Sequence, residues 1–318
     1  MSTSKRIVAL CGGVGGAKLA LGLANLGAEF DLSIIANTGD DFEHLGLRIS
    51  PDIDTITYTL AGIANPETGW GRADETWSFM ESLAALGGET WFRLGDKDLS
   101  LNVLRTSMLS SGESLSEVTS HLTGNLGISS EIIPMTDSNV RTVLQTGRGT
   151  LEFQDYFVRQ QCKPVVASIE FQGAGEAKPS ARFGELLTDP SVDAFVICPS
   201  NPFISIDPIL AIPSVRSSLA NHPSPVVAVS PVVDGQSIKG PTSKLMSELD
   251  LGSSSRDIAT YYSDFIDGFV LDHRDLDFSA QIEETGIQTL CSNIVMSTLE
   301  DRYRLARDVV NFAGPLKK

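Results

Sequence analysis

Hydrophobic positions along the chain follow two rhythms. Residues 6–11, 31–36, 164–171, 194–199 and 225–230 are compact apolar runs of strand length, bounded by turn-forming residues. Between and after them lie stretches of helical composition: 17–26, 74–86 with Trp77, Met80 and Leu83 or Leu86 as apolar positions, 99–110, and 113–127. A closing helix is expected over 297–312, with Thr298 followed by Asp301 near its start and Leu305, Val309 and Phe312 on its apolar side. Short strands alternating with helices predict an α/β fold, a Rossmann-like, mostly parallel sheet with flanking helices. The middle of the chain, approximately residues 65–160, reads as an inserted, largely helical subdomain within a single domain spanning residues 1–318. Within it, residues 139–148 are strand-like or an amphipathic connector. No internal repeat or low-complexity linker divides the chain.

The first run leads into Gly12, Gly13, Gly15 and Gly16, directly before the first helix. A strand, a glycine turn and a helix start make an anion cradle, because glycine lets backbone approach a ligand and the first helical turn presents unpaired N–H groups. Two known spacings are only partly met. Gly12 to Lys18 has P-loop spacing, but Ala17 replaces the second glycine and Leu19 the serine or threonine. The dinucleotide fingerprint fails, since the fifth position after Gly13 is Lys18. A turn needed only for strand-to-helix packing remains the alternative.

Composition narrows the function classes. The 318 residues are 42% hydrophobic and 20% charged with a net charge of −16, enough apolar content for a sizeable core. That charge disfavours nucleic acid as a partner and repels an anionic ligand at long range, so a phosphorylated substrate needs local cations, backbone donors or a divalent metal. Transmembrane and leader patterns are not evident, so no membrane partner and a cytoplasmic location are expected. Cys11, Cys162, Cys198 and Cys291 lack metal-ligand spacing and read as free, buried small hydrophobes.

The second strand is followed by Asn37-Thr38-Gly39-Asp40-Asp41, on the edge of an α/β sheet where ligands usually bind. Asp40 and Asp41 suit Mg²⁺ through hard oxygen ligands, or an exposed Asx turn and helix cap. Pro51-Asp52-Ile53-Asp54-Thr55 starts a further helix; Asp52 suits the N-cap, leaving Asp54 for substrate or metal. His44 is expected to be structural or a supporting group, with direct catalytic contact as the alternative. Arg93, beside Trp91 and Phe92, suits a flat polar ligand, or pairs locally with Asp96 or Asp98. Ser200 and Asn201 follow a later strand and can orient a phosphate or base. Lys239 and Lys244 flank Ser243 and can neutralise phosphate, and the turn-rich loop around them can equally be solvated.

These stretches together resemble the CofD and FbiA family of phosphoenolpyruvyl or 2-phospho-L-lactate transferases of coenzyme F420 biosynthesis. The resemblance covers most of residues 5–312. It rests on Gly12-Gly13-Val14-Gly15-Gly16-Ala17-Lys18, Asn37-Thr38-Gly39-Asp40-Asp41, Pro51-Asp52-Ile53-Asp54-Thr55 and Phe92-Arg93-Leu94-Gly95-Asp96-Lys97-Asp98. Ile133-Pro134-Met135-Thr136-Asp137, Pro199-Ser200-Asn201-Pro202 and Gly240-Pro241-Thr242-Ser243-Lys244 complete it. Gly15 stands where the family often has threonine, and Thr136-Asp137-Ser138 varies a serine and paired-aspartate wording.

The resemblance implies transfer of a phosphorylated C3 acid from a guanosine diphosphate-linked donor to Fo, the 7,8-didemethyl-8-hydroxy-5-deazariboflavin acceptor, with GMP leaving. It implies Fo contacts at Asp54 and Arg93, and a donor site including Gly12, Gly13, Gly15, Gly16, Lys18, Ser200 and Asn201. Asp54 is also the expected catalytic carboxylate, and Asp41 with Asp54 the expected Mg²⁺ ligands. A homodimer is left open. A related nucleotide or nucleotide-sugar-binding regulatory protein without transfer is the alternative. A dinucleotide oxidoreductase is disfavoured by the displaced glycine spacing and the acidic motifs.

Overall fold

The computed structural model describes residues 4–238 and 240–316; Lys239 lies outside the described residues. Seven strands form its central sheet: β1 (Lys5–Cys11), β2 (Phe30–Ala36), β3 (Glu131–Pro134), β4 (Ala194–Ile197), β5 (Val226–Val229), β6 (Gly268–Asp272) and β7 (Gln288–Ser292). Their spatial order is β7-β6-β5-β4-β1-β2-β3, and every neighbouring pair is parallel. The chain therefore winds one way from β1 to β3 and the other way from β4 to β7. The reversal lies between β1 and β4, where open α/β sheets form a ligand crevice at the carboxyl ends of their strands.

Both faces of this sheet are covered, which is why its inner strands β1, β4 and β5 are nearly continuous apolar runs rather than alternating. Side chains at successive strand positions point to opposite faces. In β1, Val8 and Leu10 join one buried cluster with Phe183, Phe195 and Phe269, while Ile7, Ala9 and Cys11 join another with Leu19, Leu305 and Val309. The second cluster is roofed by α1 (Gly13–Ala24), α2 (Pro51–Leu60) and the closing helix Leu299–Ala313. Thr298 and Asp301 form a reciprocal capping box at the start of that closing helix, the function their spacing suggests. Gly22 lets the closing helix cross α1 closely, because a Cβ there would collide with the carbonyl of Arg302.

The middle of the chain departs from the expected single helical insertion. After α2 come α3 (Ser78–Ala85), α4 (Asp96–Ser110) and α5 (Leu115–Asn125), but β3 then returns the chain to the main sheet. A second excursion follows as an antiparallel sheet of Arg141–Thr146, Gly149–Glu152 and Val166–Gln172. The stretch 65–160 is thus divided by β3. The apolar run at 164–171 pairs in this smaller sheet and not with the parallel strands. Its alternating exposure, with one face toward water, is the ordinary pattern of an antiparallel strand. Among the described residues, no single helix is long and apolar enough to cross a membrane.

Candidate active site

The turn after β1 and the turn after β4 meet at the reversal point. Ser200 Oγ accepts from the Gly12 N–H at 3.1 Å and donates to the Gly12 carbonyl at 2.8 Å, joining residues far apart in sequence. The glycines permit this closeness. A Cβ on Gly15 would collide with the Pro199 carbonyl, and one on Gly16 would lie 2.5 Å from Ser200 Oγ and 2.7 Å from Cys11 Sγ. Gly13 differs: it needs a left-handed backbone, φ +64°, and nothing lies within 4 Å of its missing side chain. Packing accounts for Gly12, Gly15 and Gly16, while the open side of Gly13 is where a ligand can approach.

The glycine turn is also held from α2. Pro51 opens that helix at a position where a missing N–H costs nothing, and Ser50, not Asp52, occupies the N-cap. Asp52 sits inside the first turn and accepts from the Gly13 N–H at 2.8 Å and from Asn37 Nδ2 at 2.9 Å. The expected cap is therefore a brace between the turns after β1 and β2. Positions two apart on a helix do not share a face. Asp54 accordingly points elsewhere: it forms a buried double contact with the Arg105 guanidinium of α4, which also holds Asn102 Oδ1 at 2.8 Å.

Four carboxylates are thus concentrated on the turns after β2 and at the start of α2, and burial governs each. Asp40 is pushed well above the usual carboxylate range by burial and by neighbouring Asp52. Burial lifts Asp52 to about 6 against its hydrogen bonds from Asn37 and Gly13. Asp41 is lifted by burial to about 7, although the hydrogen bond from Ser50 and the charges of Arg141 and Arg105 pull the other way. Asp54 is pushed upward by burial against the pull of Arg105. Asp41 Oδ2 accepts from Ser50 Oγ at 2.7 Å, while its Oδ1 is buried without a partner, as are Asp40 Oδ1 and Thr38 Oγ1.

Beside these groups a cleft of about 260 Å³ opens, lined by Thr38, Asp41, Arg48, Asn139, Arg141 and the start of α5, among others. Phe42 lies on its edge and packs edge-on against Phe92, with ring centroids 4.8 Å apart. His44 is buried in the same aromatic group, 5.2 Å from the Trp91 ring, and burial lowers its pKa. Arg93 stacks on the Trp77 ring at 3.9 Å. It takes neither expected carboxylate: Asp96 accepts from Thr76, Ser78 and Phe79, and Asp98 accepts from Tyr58 Oη at 2.5 Å.

The structure brings together Gly12, Gly13, Gly15, Gly16, Asp52 and Ser200, and sets Asp41 beside them through the Asn37–Asp41 turn. Other expected donor residues have local duties. Lys18 Nζ donates to the Met296 carbonyl at 2.9 Å. Asn201 caps the following turn through the N–H groups of Phe203 and Ile204, and its Nδ2 donates to Thr242 Oγ1. Lys244 is held by Glu248, the Tyr156 hydroxyl and the Pro164 carbonyl. Sequence reasoning missed Arg105, Arg48, Arg141 and the bracing by Asn37. Arg105 gives no signal in sequence, because a charged residue inside a polar helix ordinarily faces solvent. Among the described residues no group of three His, Cys, Asp or Glu side chains converges as a ready metal site.

The model of the family described as 2-phospho-L-lactate transferase CofD matches residues 7–295. The chain is 36% identical to a phosphoenolpyruvate transferase of Streptomyces coelicolor over 319 residues, covering 98% of this chain and 99% of that protein. It is 38% identical to a 2-phospho-L-lactate transferase of Methanopyrus kandleri over 316 residues, covering 98% of each. Among solved structures, a protein from Bacillus halodurans shares the fold with a TM-score of 0.63 at 14% identity, over 97% of this chain and 99% of that one.

Proposed function

The chain belongs to the CofD family of 2-phospho-L-lactate transferases, and on that premise we propose that it transfers a phosphorylated C3 acid in coenzyme F420 biosynthesis. The donor is a guanosine diphosphate conjugate of the C3 acid, the acceptor is Fo, and the products are GMP and an Fo phosphodiester. The observation that carries this reading is the joining of the turns after β1, β2 and β4 by Asp52, Asn37 and Ser200 at the sheet's reversal point. That arrangement presents the start of α1 to a phosphorylated ligand in a protein whose overall charge repels it, while the Gly12 and Gly13 N–H groups themselves are held by Ser200 and Asp52.

In this reading the diphosphate lies against Gly13 and the start of α1, with Ser200 and Asn201 holding the shape of the cradle. Arg93 on its Trp77 platform and Asp54 serve the Fo side. The terminal ribityl hydroxyl of Fo attacks the phosphorus that carries the C3 acid, and GMP departs from the opposite face. Asp54 orients that hydroxyl and receives its proton; Arg105 holds the carboxylate in place until it does. Transfer in this scheme needs positioning and charge neutralisation without a covalent enzyme intermediate.

Mg²⁺ belongs to the same proposal. The unpartnered Asp41 Oδ1 fits one oxygen ligand, and such ions commonly take one or two carboxylates with substrate phosphates and water. Asp54 fits less directly, since Arg105 engages both of its oxygens. When bound, the ion would neutralise charge on the donor phosphates.

Purified protein incubated with Fo, Mg²⁺ and each of the phospholactyl, phosphoenolpyruvyl and 3-phosphoglyceryl donors tests the proposal by mass spectrometry. GMP and an Fo phosphodiester are expected with at least one donor. Neither product with any donor, in folded protein, rejects the reading and favours a nucleotide-binding protein without transfer.

A further inference from the structure

Arg141 opens the first strand of the antiparallel sheet and lines the cleft that also contains Asp41 and Thr38. It is partly buried, and one of its nitrogens donates to the Val140 carbonyl at 3.0 Å. Among the described residues no carboxylate comes within ion-pair distance of it. Arg6, Arg105, Arg182, Arg216, Arg274 and Arg304, by contrast, each hold one. Arg48, on the same cleft, has only a loose pairing with Glu43 at 3.7 Å. A guanidinium taken partly out of water without a paired carboxylate is costly: burial pulls the Arg141 pKa down, against the upward pull of the charges of Asp41, Glu152 and Glu43. Thr38 Oγ1 and Asp41 Oδ1 are buried in the same lining without partners. Spare donors and spare acceptors on one small cleft are the mark of a polar ligand site.

We propose that Arg141, assisted by Arg48, grips the carboxylate of the donor's C3 acid and so makes the enzyme selective for an acid at that end of the donor. The inference rests on the transfer reading above. The planar fork of arginine matches a carboxylate through two parallel hydrogen bonds. The volume of about 260 Å³ suits a fragment of a substrate; sites that enclose a whole drug-sized ligand run from about 300 to 1,000 Å³. The Asn37–Asp41 turn links the two regions: Asn37 meets Asp52, which holds Gly13, while Thr38 and Asp41 line the cleft. In this proposal a donor with its diphosphate on Gly13 extends its C3 acid along the turn to Arg141.

Calorimetry on the full chain with three probes separates the roles: the phospholactyl guanosine diphosphate donor, GDP alone, and Fo. Arg141→Gln is expected to weaken the donor by about 10- to 100-fold, the scale of a lost charge-assisted pair, with GDP and Fo affinities unchanged. Arg141→Lys, which keeps the charge without the fork, should fall between, and Arg48→Gln should lose less than Arg141→Gln. Thermal unfolding identifies any variant that fails to fold; Arg141→Lys then carries the comparison. Equal losses for GDP and donor would move Arg141 to the diphosphate, a loss confined to Fo would move it to the acceptor, and no loss would make it structural; each overturns the inference. If wild-type protein transfers the C3 acid and Arg141→Gln does so with unchanged KM, this inference alone fails. If wild-type protein neither binds nor consumes any of the donors, the transfer reading fails with it.

Discussion

Asp54 and Arg105 form a buried pair within the fold, and in the proposed transfer the same carboxylate receives the acceptor's proton. Asp54→Asn keeps the volume but strips the charge that faces a fully buried guanidinium. Removing one partner of such a pair typically costs about 3–5 kcal/mol, so urea unfolding of Asp54→Asn should give a clearly lower midpoint, along with lost transfer. The double variant Asp54→Asn with Arg105→Gln should regain part of the stability and none of the activity; regained transfer would leave Asp54 only a structural role. Asp41 behaves differently, because burial has lifted its pKa to about 7. Its folded value lies above the unfolded one, so its contribution to stability is full below about pH 4 and is lost as pH rises through about 7. Its charge, which the proposed cation ligand needs, appears over that same rise. Donor kcat/KM should therefore climb about tenfold between pH 6 and pH 8 while ligand-free stability declines, and Asp41→Asn should flatten both trends. A flat wild-type profile would remove Asp41 from the site.

Secondary elements here are positioned by close approaches that only glycine allows. Gly15→Ala forces a methyl against the Pro199 carbonyl, which backbone on both sides cannot easily yield. It should cost about 1–3 kcal/mol in thermal unfolding and separate the turns after β1 and β4, weakening the donor. Gly13→Ala meets no neighbour, and its cost comes from the left-handed backbone alone, on the order of 1 kcal/mol. If the two variants lose equal stability with intact donor binding, the proposed crowding is not what shapes the turn. The same contrast explains what could be read beforehand. A strand followed by clustered glycines announces a tight turn, but which glycine has an open side and which meets a carbonyl depends on residues near position 200 and on Asp52. Likewise the Asp52 brace was hidden by an equally good local role as a helix cap.

At the scale of the whole molecule, the apolar runs foretold a parallel α/β sheet, because strands covered on both faces must be apolar throughout. They did not foretell β6 or β7, nor β3, only four residues long, which rejoins the sheet between two excursions and divides the expected insertion. Nor does sequence spacing reveal the strand order, which is set by how the two halves of the sheet meet between β1 and β4. That meeting carries a consequence for synthesis. The clasp of Ser200 on Gly12 joins positions 188 residues apart, so a growing chain on the ribosome has its glycine turn almost from the start and lacks the other jaw until most of the protein is made. A stalled or truncated chain ending before β4 should neither protect that turn from hydrogen exchange nor retain GDP. Adding the remaining residues as a separate polypeptide should restore both if the clasp completes the cradle. On the proposed transfer reading, the nucleotide would then act as a late folding partner, stabilising only chains that have finished both halves.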